Sequence, residues 1–143
     1  MDMGRLTHAR LGVLIAGVAL LATACFSAEQ NEIAILVNAS RVEHGRPAVE
    51  VNLELSDKAQ EWAEHLAEHG ELEHSDLPEG LTLAWTALGE NVGFGVDIAR
   101  VHDAYMQSTA HRGNILDPRW THLGTGFAQT SETVYAVHLF MEY

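Results

Sequence analysis

Val134-Tyr-Ala-Val-His-Leu-Phe-Met141, near the end of the chain, is mostly apolar on both of its alternating faces. Successive side chains of a β-strand point to opposite faces of the sheet, so a half-exposed strand alternates apolar with polar residues. This stretch does not alternate in that way, and a strand that is apolar on both sides is covered on both sides. We therefore predict that residues 134–141 form a strand enclosed between two layers of a folded domain.

Two more strands are predicted upstream of this one. Residues 123–128 form a strand that is joined to the last one by the polar segment 129–133. Residues 81–87 alternate enough to suggest a short strand within a stretch, 70–95, that is otherwise rich in turn residues. Long segments of this kind in a compact domain are often functional.

Three helices are predicted from apolar residues at helical spacing. They are a helix over 31–44, a helix that begins after Ser56 or Asp57 as its cap, and a helix from the cap Asp97 to Gln107. Helices combined with antiparallel strands that are buried on both faces fit a layered α+β domain. Periodicity alone leaves the order of the layers open.

The first 24 residues have the composition of a secretory signal. Arg5 and Arg10 precede an apolar run over 11–21, which ends in small residues just before Cys25. The run is shorter than the roughly 20 apolar residues of a membrane span, which favours a cleaved signal peptide at 1–24 over a permanent N-terminal anchor. We expect a short linker at 25–30 and one domain over 31–143.

Cys25 stands where a bacterial lipoprotein carries its lipid, although Ala22 replaces the aliphatic residue that usually lies three positions earlier. The protein is therefore expected to be exported, and either anchored in the cell envelope by lipid at Cys25 or secreted. Because Cys25 is the only cysteine, an intramolecular disulfide is excluded.

The chain is strongly acidic, with 8 Lys and Arg against 20 Asp and Glu and a formal net charge of −12. Nucleic acids are bound by cationic surfaces that release counterions, so the composition excludes nucleic acid as a partner. Acidic surfaces are also repelled by anionic membranes, so membrane attachment is expected only through a lipid anchor at Cys25.

Polar residues that could build one site lie in four short stretches of the second half of the chain. They are His74-Ser75, Gly89-Glu90-Asn91-Val92, Ser108-Thr-Ala-His111-Arg-Gly-Asn-Ile-Leu116 and Gly124-Thr-Gly126. Two imidazoles and a carboxylate, from His74, His111 and Glu90, offer three metal ligands or proton carriers. The residues predict a site without yet assigning a function.

In order and spacing, these stretches resemble the bacterial branch of the CAP superfamily, the cysteine-rich secretory, antigen 5 and pathogenesis-related 1 proteins, whose domain is also called SCP. Residues 37–45, with Asn38 and Arg41, resemble the first helix of bacterial CAP domains. The resemblance extends from about Asn31 to Tyr143. It implies an α/β/α sandwich, in which an antiparallel sheet carries helices on both faces.

The resemblance also implies a central cavity lined by two histidines and two glutamates, in which the histidines of several members hold a divalent metal. His74 matches the first histidine, Glu90 the first glutamate and His111 the second histidine. The second glutamate normally follows an aromatic pair on the third helix, where this chain has Gln107 and Ser108. This departure weakens any mechanism that needs two carboxylates.

Two neutral imidazoles with one carboxylate or water would make an open Zn²⁺ site. The alternative is that His74 and His111 only bind loop backbone and that Glu90 caps a turn. Arg112 and Asn114 are expected to fix the loop after His111.

The remaining histidines are not assigned to the site. His65 and His69 lie four residues apart on the second predicted helix, but a solvated acidic face is the stronger interpretation. We expect His44 and His102 to be exposed on helices as well, and His122 and His138 to be satisfied within the sheet.

Two functions follow from these residues. The first is a binding module whose cavity holds a divalent metal, zinc foremost, and a small apolar, lipid-like or protein ligand. The second is a metal-assisted hydrolase of peptidase or esterase type, with Glu90 as the general base. The missing second glutamate favours the binding module over the enzyme.

Overall fold

The structure is a computed structural model that describes residues 26–143. The predicted signal peptide, 1–24, and Cys25 lie outside the described residues. Within 26–143, no helix combines the length and the apolar character needed to cross a bilayer.

Four helices and four strands form the domain. In chain order they are α1 (Ala28–Glu43), β1 (Glu50–Val51), α2 (Leu53–His69), β2 (Ala87–Gly95), α3 (Ile98–Gln107), α4 (Thr109–Leu116), β3 (His122–Gln129) and β4 (Val134–Glu142).

The strands form one sheet in the order β1-β3-β4-β2. β4 lies inside the sheet and pairs antiparallel with β2 on one side and with β3 on the other. The two-residue strand β1 pairs with β3 in parallel, which the predicted all-antiparallel sheet did not include. The last strand therefore occupies the enclosed position that its apolar pattern predicts.

Two helical layers cover the two faces of the sheet. On one face, Val134, Ala136 and Phe140 of β4 share a core with residues of α1, α3 and α4. On the opposite face, the alternate residues of β4, from Tyr135 to Met141, pack against α2. This arrangement confirms the predicted α+β sandwich with helices on both faces.

Helix starts follow local capping chemistry, and two of the predicted starts were wrong. α1 begins at Ala28, inside the predicted linker, because Ser27 and Gln30 form a capping box. α2 is capped by Asn52 rather than by Ser56 or Asp57. Ser56 is buried inside the helix, where its hydroxyl accepts a hydrogen bond from the Thr125 N–H at 3.1 Å.

The predicted strand over 81–87 is also wrong. Residues 70–86 contain no helix or strand, and β2 begins only at Ala87. The backbone N–H groups of Thr82 and Leu83 are bound by the carboxylate of Glu54 on α2, so they are not available to a sheet.

The glycine-rich stretch that suggested turns is instead strand β2. A side chain at Gly89 would meet the Trp120 ring, and one at Gly93 would meet the Tyr105 ring, each within 3 Å. These glycines make room for large aromatic neighbours, a role that composition does not distinguish from a turn.

Candidate functional site

Glu90 is the buried centre of the site. It lies on β2, beside the inner strand β4, and its side chain is 1% exposed. Three donors from the segment 70–86 reach its carboxylate. The His74 Nδ1 lies 2.6 Å from Oε1, the Ser75 N–H donates to Oε1 at 3.0 Å, and the Ser75 hydroxyl donates to Oε2 at 2.6 Å. A buried carboxylate is stable only when it is hydrogen-bonded in this way.

The contact with Glu90 fixes the protonation pattern of the His74 ring. A carboxylate can only accept, so Nδ1 must carry the proton that it shares with Oε1. In the neutral ring, Nε2 is then the nitrogen with a free lone pair. Because the His74 side chain is 65% exposed, this nitrogen belongs to a ring that solvent and solutes can reach.

His111 lies in the first turn of α4, with its ring against Tyr105 at 4.9 Å between centroids. Burial lowers the pKa of His111, and the charge on a protonated His74 lowers it further. The side chain of Asn91, which follows Glu90 on β2, donates to the His111 carbonyl at 3.0 Å. The structure thus brings His74, Glu90 and His111 into one region of the molecule.

The residues around His111 form a helix, where the sequence predicted a loop. Ser108 caps α4 by accepting from the His111 N–H at 3.4 Å. Asn114 donates to the Glu90 carbonyl and to Asn91 Oδ1, both at 2.9 Å, and Asn91 donates to the His111 carbonyl at 3.0 Å. Two amides therefore hold α4 against β2. Asn114 braces a helix rather than the predicted loop, and Arg112, which was expected to share this role, is exposed.

Within the part of the chain that the structure describes, 26–143, no second carboxylate completes the site. Gln107 is exposed at the end of α3, and Ser108 is the cap of α4.

Behind His111 lies Tyr105, whose hydroxyl donates to the Ala136 carbonyl at 2.7 Å and whose pKa is raised by burial. Next to Tyr105 is His138, with ring centroids 4.9 Å apart.

The donor set fits an open metal site better than a closed one. Among residues 26–143, no three His, Cys, Asp or Glu side chains are arranged to hold a metal ion together. Glu90 already accepts three hydrogen bonds, which leaves two imidazoles with water as the donors that fit a divalent ion.

Two histidines outside the site differ from expectation. His102 was predicted to be exposed but is 7% exposed, with Nε2 2.8 Å from the Ser40 hydroxyl. His138 was predicted to be satisfied, but its Nδ1 is buried without a hydrogen-bond partner among residues 26–143. Burial lowers the pKa of His138 to about 3. A single apolar-flanked histidine in a strand gives no signal of this kind.

Ser75 is the residue of the site that sequence reasoning missed. The sequence places it beside His74 in one of the four polar stretches and assigns it no partner. Its partner is Glu90, which is 15 positions away in the chain. The dipeptide His74-Ser75 was part of the recognised pattern, but only the fold shows that both residues bind one carboxylate.

One surface groove lies beside the site and another lies away from it. One, of about 500 Å³, runs between α2 and the segment around Ser75 and Glu79, and its lining is mostly charged. The other, of about 640 Å³, is shallow and apolar, and it is lined entirely by α1 residues such as Ile35 and Val42. The apolar groove contains none of the three predicted site residues.

Comparison with known proteins identifies related sequences. A family model described as the cysteine-rich secretory protein family, CAP, matches residues 35–143. The uncharacterized protein YkwD of Bacillus subtilis is 26% identical over 113 residues, which cover 73% of this chain and 44% of YkwD.

Solved structures share the fold at low identity. An extracellular protein containing an SCP domain from Bacillus anthracis superposes with a TM-score of 0.69 at 19% identity, over 80% of this chain and 40% of that one. A protein named NaASP2, crystallised with Zn²⁺, superposes with a TM-score of 0.58 at 14% identity, over 80% of both chains. The chain thus spans less than half the length of YkwD and of the Bacillus anthracis protein.

Proposed function

Because the chain belongs to the cysteine-rich secretory protein (CAP) family, we propose that it is an exported binding module that holds a divalent metal ion between His74 and His111. The observation that carries this proposal is the 2.6 Å contact between His74 Nδ1 and the buried carboxylate of Glu90. Export is supported by the likeness to an extracellular SCP-domain protein and by the predicted signal at 1–24.

The Glu90 contact is typical of a metal-binding histidine. Imidazoles that bind a metal through one nitrogen usually donate the other N–H to a carboxylate or carbonyl, which fixes the tautomer and makes the ligand more basic. His74 has this arrangement, with Nε2 as its available nitrogen. We therefore propose that Glu90 orients His74 and does not itself contact the ion.

His111 contributes the second imidazole. A histidine must be neutral to bind a metal, and the lowered pKa of His111 keeps its ring neutral to a lower pH than usual. Imidazole suits zinc, copper, nickel and iron, and the crystallisation of NaASP2 with Zn²⁺ makes zinc the first ion to test. A bound ion would supply an electrophile with exchangeable water positions.

The same hydrogen bonds support binding over hydrolysis. A general base must reach the proton that it removes, and the Glu90 carboxylate is buried and already accepts from His74 and Ser75. The exposed Gln107 supplies no second carboxylate. An apolar or lipid-like ligand stays a prediction of the sequence, because the apolar groove on α1 shares no residue with the site.

Calorimetric titration of the purified protein with Zn²⁺ tests the proposal. We expect saturable binding that is lost in the double variant His74→Ala/His111→Ala. The matched control is His65→Ala/His69→Ala, which removes two histidines whose rings lie 4.1 Å apart on α2. That variant should bind as the unmodified protein does.

Two results would contradict the proposal. Equal affinity in the unmodified protein and in His74→Ala/His111→Ala would exclude the proposed ligands. Loss of binding in the control pair instead would place the ion on the surface of α2.

A further inference from the structure

We infer that Ser75 is a positioning residue that clamps Glu90 and thereby fixes which nitrogen His74 presents to a ligand. The inference rests on the proposed function, since it concerns how the same site is oriented. The inference predicts which tautomer His74 adopts, and this can be measured without any metal.

Ser75 holds the carboxylate of Glu90 by both oxygens. Its backbone N–H donates to Oε1 at 3.0 Å and its hydroxyl donates to Oε2 at 2.6 Å. Two donors from one residue, one for each oxygen, stop the carboxylate from rotating about its Cγ–Cδ bond. Oε1 is therefore held in the place where it meets His74 Nδ1.

The orientation of His74 depends on this clamp because little else restrains the ring. Its only hydrogen bond within residues 26–143 is the one to Oε1, and its side chain is 65% exposed. It also lies in the segment 70–86, which has no helix or strand. The rigid element nearby is β2, and the ring is connected to it through Glu90.

The adjacency of the two residues makes the arrangement compact. His74 and Ser75 are consecutive, so two adjacent residues present three donors to the same carboxylate. These are the ring N–H of His74 and the backbone N–H and hydroxyl of Ser75. If the hydroxyl is removed, Oε2 is left buried without a donor, which is unfavourable for a charged group. The carboxylate then gains by turning or moving, and Oε1 leaves its position opposite Nδ1.

The experiment compares Ser75→Ala with the conservative variant Ser75→Thr, which keeps the hydroxyl. Nitrogen-15 spectra of the metal-free protein at pH 8 report which His74 nitrogen carries the proton. We expect a single Nδ1–H tautomer in the unmodified protein and in Ser75→Thr, and a mixture of tautomers in Ser75→Ala. Zinc affinity should fall about tenfold in Ser75→Ala, as when other carboxylate supports of a metal-binding histidine are lost.

Ser131→Ala, in the exposed turn between β3 and β4, is the matched control and should change neither the tautomer nor the affinity. A single Nδ1–H tautomer retained in Ser75→Ala would overturn the inference, and so would a mixture in Ser75→Thr. If Ser75→Ala does not fold, the unmodified protein still provides a test, because an Nε2–H tautomer there contradicts the clamp. Failure of the unmodified protein to bind zinc would reject the proposed function and leave the tautomer result standing.

Discussion

Three neighbouring side chains in the core have polar atoms that find no hydrogen-bond partner among residues 26–143. They are the Nδ1 atoms of His102 and His138 and the hydroxyl of Thr125. Thr125 and His138 face each other across β3 and β4, and the two histidine rings lie 6.5 Å apart. Uncharged, these groups cost the fold little more than lost hydrogen bonds, but a proton on either ring would be a buried charge.

This cluster predicts that the protein loses stability as the pH falls below about 6.5. Burial lowers the pKa of His138 to about 3, and burial also lowers the pKa of His102 and of His111. In the unfolded chain these imidazoles bind protons near pH 6.5, whereas in the folded chain they do so only at lower pH. The contribution of the fully buried His138 is therefore complete above about pH 6.5 and is lost progressively towards pH 3, at up to about 1.4 kcal/mol per pH unit. His102 and His111 shift the stability in the same direction, but by less, because they are less buried.

Urea unfolding between pH 7.5 and pH 5 measures this slope, in a range above the titration of most carboxylates. The variant His138→Gln should have a shallower slope than the unmodified protein, and the exposed His44→Gln should have the same slope. A slope that does not change in His138→Gln would show that His138 is not one of the groups responsible.

At the site, residue identity could be predicted from the sequence but residue pairing could not. His74, Glu90 and His111 were selected from short motifs, and all three lie in one region. Two of these pairings are the hydrogen bonds from Ser75 to Glu90 and the packing of Tyr105 on His111. Both depend on contacts between β2, α3, α4 and the segment 70–86. Motif spacing contains no information on such contacts.

At the scale of the elements, α2 packs closely against β3, where Gly124 and Gly126 face the α2 backbone. Beyond its first two residues, β3 pairs with no strand other than β4 in the described part of the chain, and α2 side chains bind its open edge. The Ser56 hydroxyl accepts from the Thr125 N–H, and the Gln60 amide both accepts from and donates to the backbone of Phe127. An edge covered in this way is protected from pairing with another chain.

Gly126→Ala is expected to destabilise the protein by at least about 3 kcal/mol, at the upper end of overpacking costs. A Cβ at Gly126 would overlap the backbone carbonyl of Ala59, and helix backbone cannot move aside as a flexible side chain can. The midpoint of urea unfolding measures the change.

Gly113→Ala is the control, because nothing lies within 4 Å of a Cβ at that position in α4. Replacing glycine by alanine in a helix should stabilise the protein by about 0.5–1 kcal/mol. Similar stabilities for the two variants would mean that α2 does not approach β3 as closely as described.

The predicted helices and strands were correct where the apolar periodicity was strong. They were wrong where contacts with distant residues determined the backbone conformation. α3 runs from the Asp97 cap to Gln107 as predicted, and β3 and β4 match to within one residue at each end. The segment 81–87 has the pattern of a strand, but Glu54 binds the backbone groups that a sheet would need. The glycines of β2 suggested a loop because nothing local shows the aromatic rings that they accommodate.

For the molecule as a whole, charge opposes folding. The formal net charge is −12, and within residues 26–143 Arg119 with Asp117 is the only ion pair of a carboxylate with lysine or arginine. We expect the melting temperature to rise by a few degrees when NaCl is increased from about 10 mM to about 300 mM, because salt screens the repulsion among carboxylates.

Thermal denaturation at several salt concentrations is the measurement. The variant Glu61→Gln/Glu68→Gln, at two exposed positions of α2, should melt higher at low salt and depend less on salt. A melting temperature that falls with salt would show that attractive pairs dominate the electrostatics instead.

By itself the sequence determined the acidic composition, the layered α+β architecture and the enclosed last strand, and the short motifs that resemble the CAP family singled out His74, Glu90 and His111. Each of these follows from composition, from alternation along a few residues or from short motifs, all of which are local properties. Only the tertiary structure decided that His74 and Ser75 both bind the Glu90 carboxylate, and that His102 and His138 are buried together. Such pairings join residues that are distant in the chain, so they depend on how the sheet and its two helical layers pack.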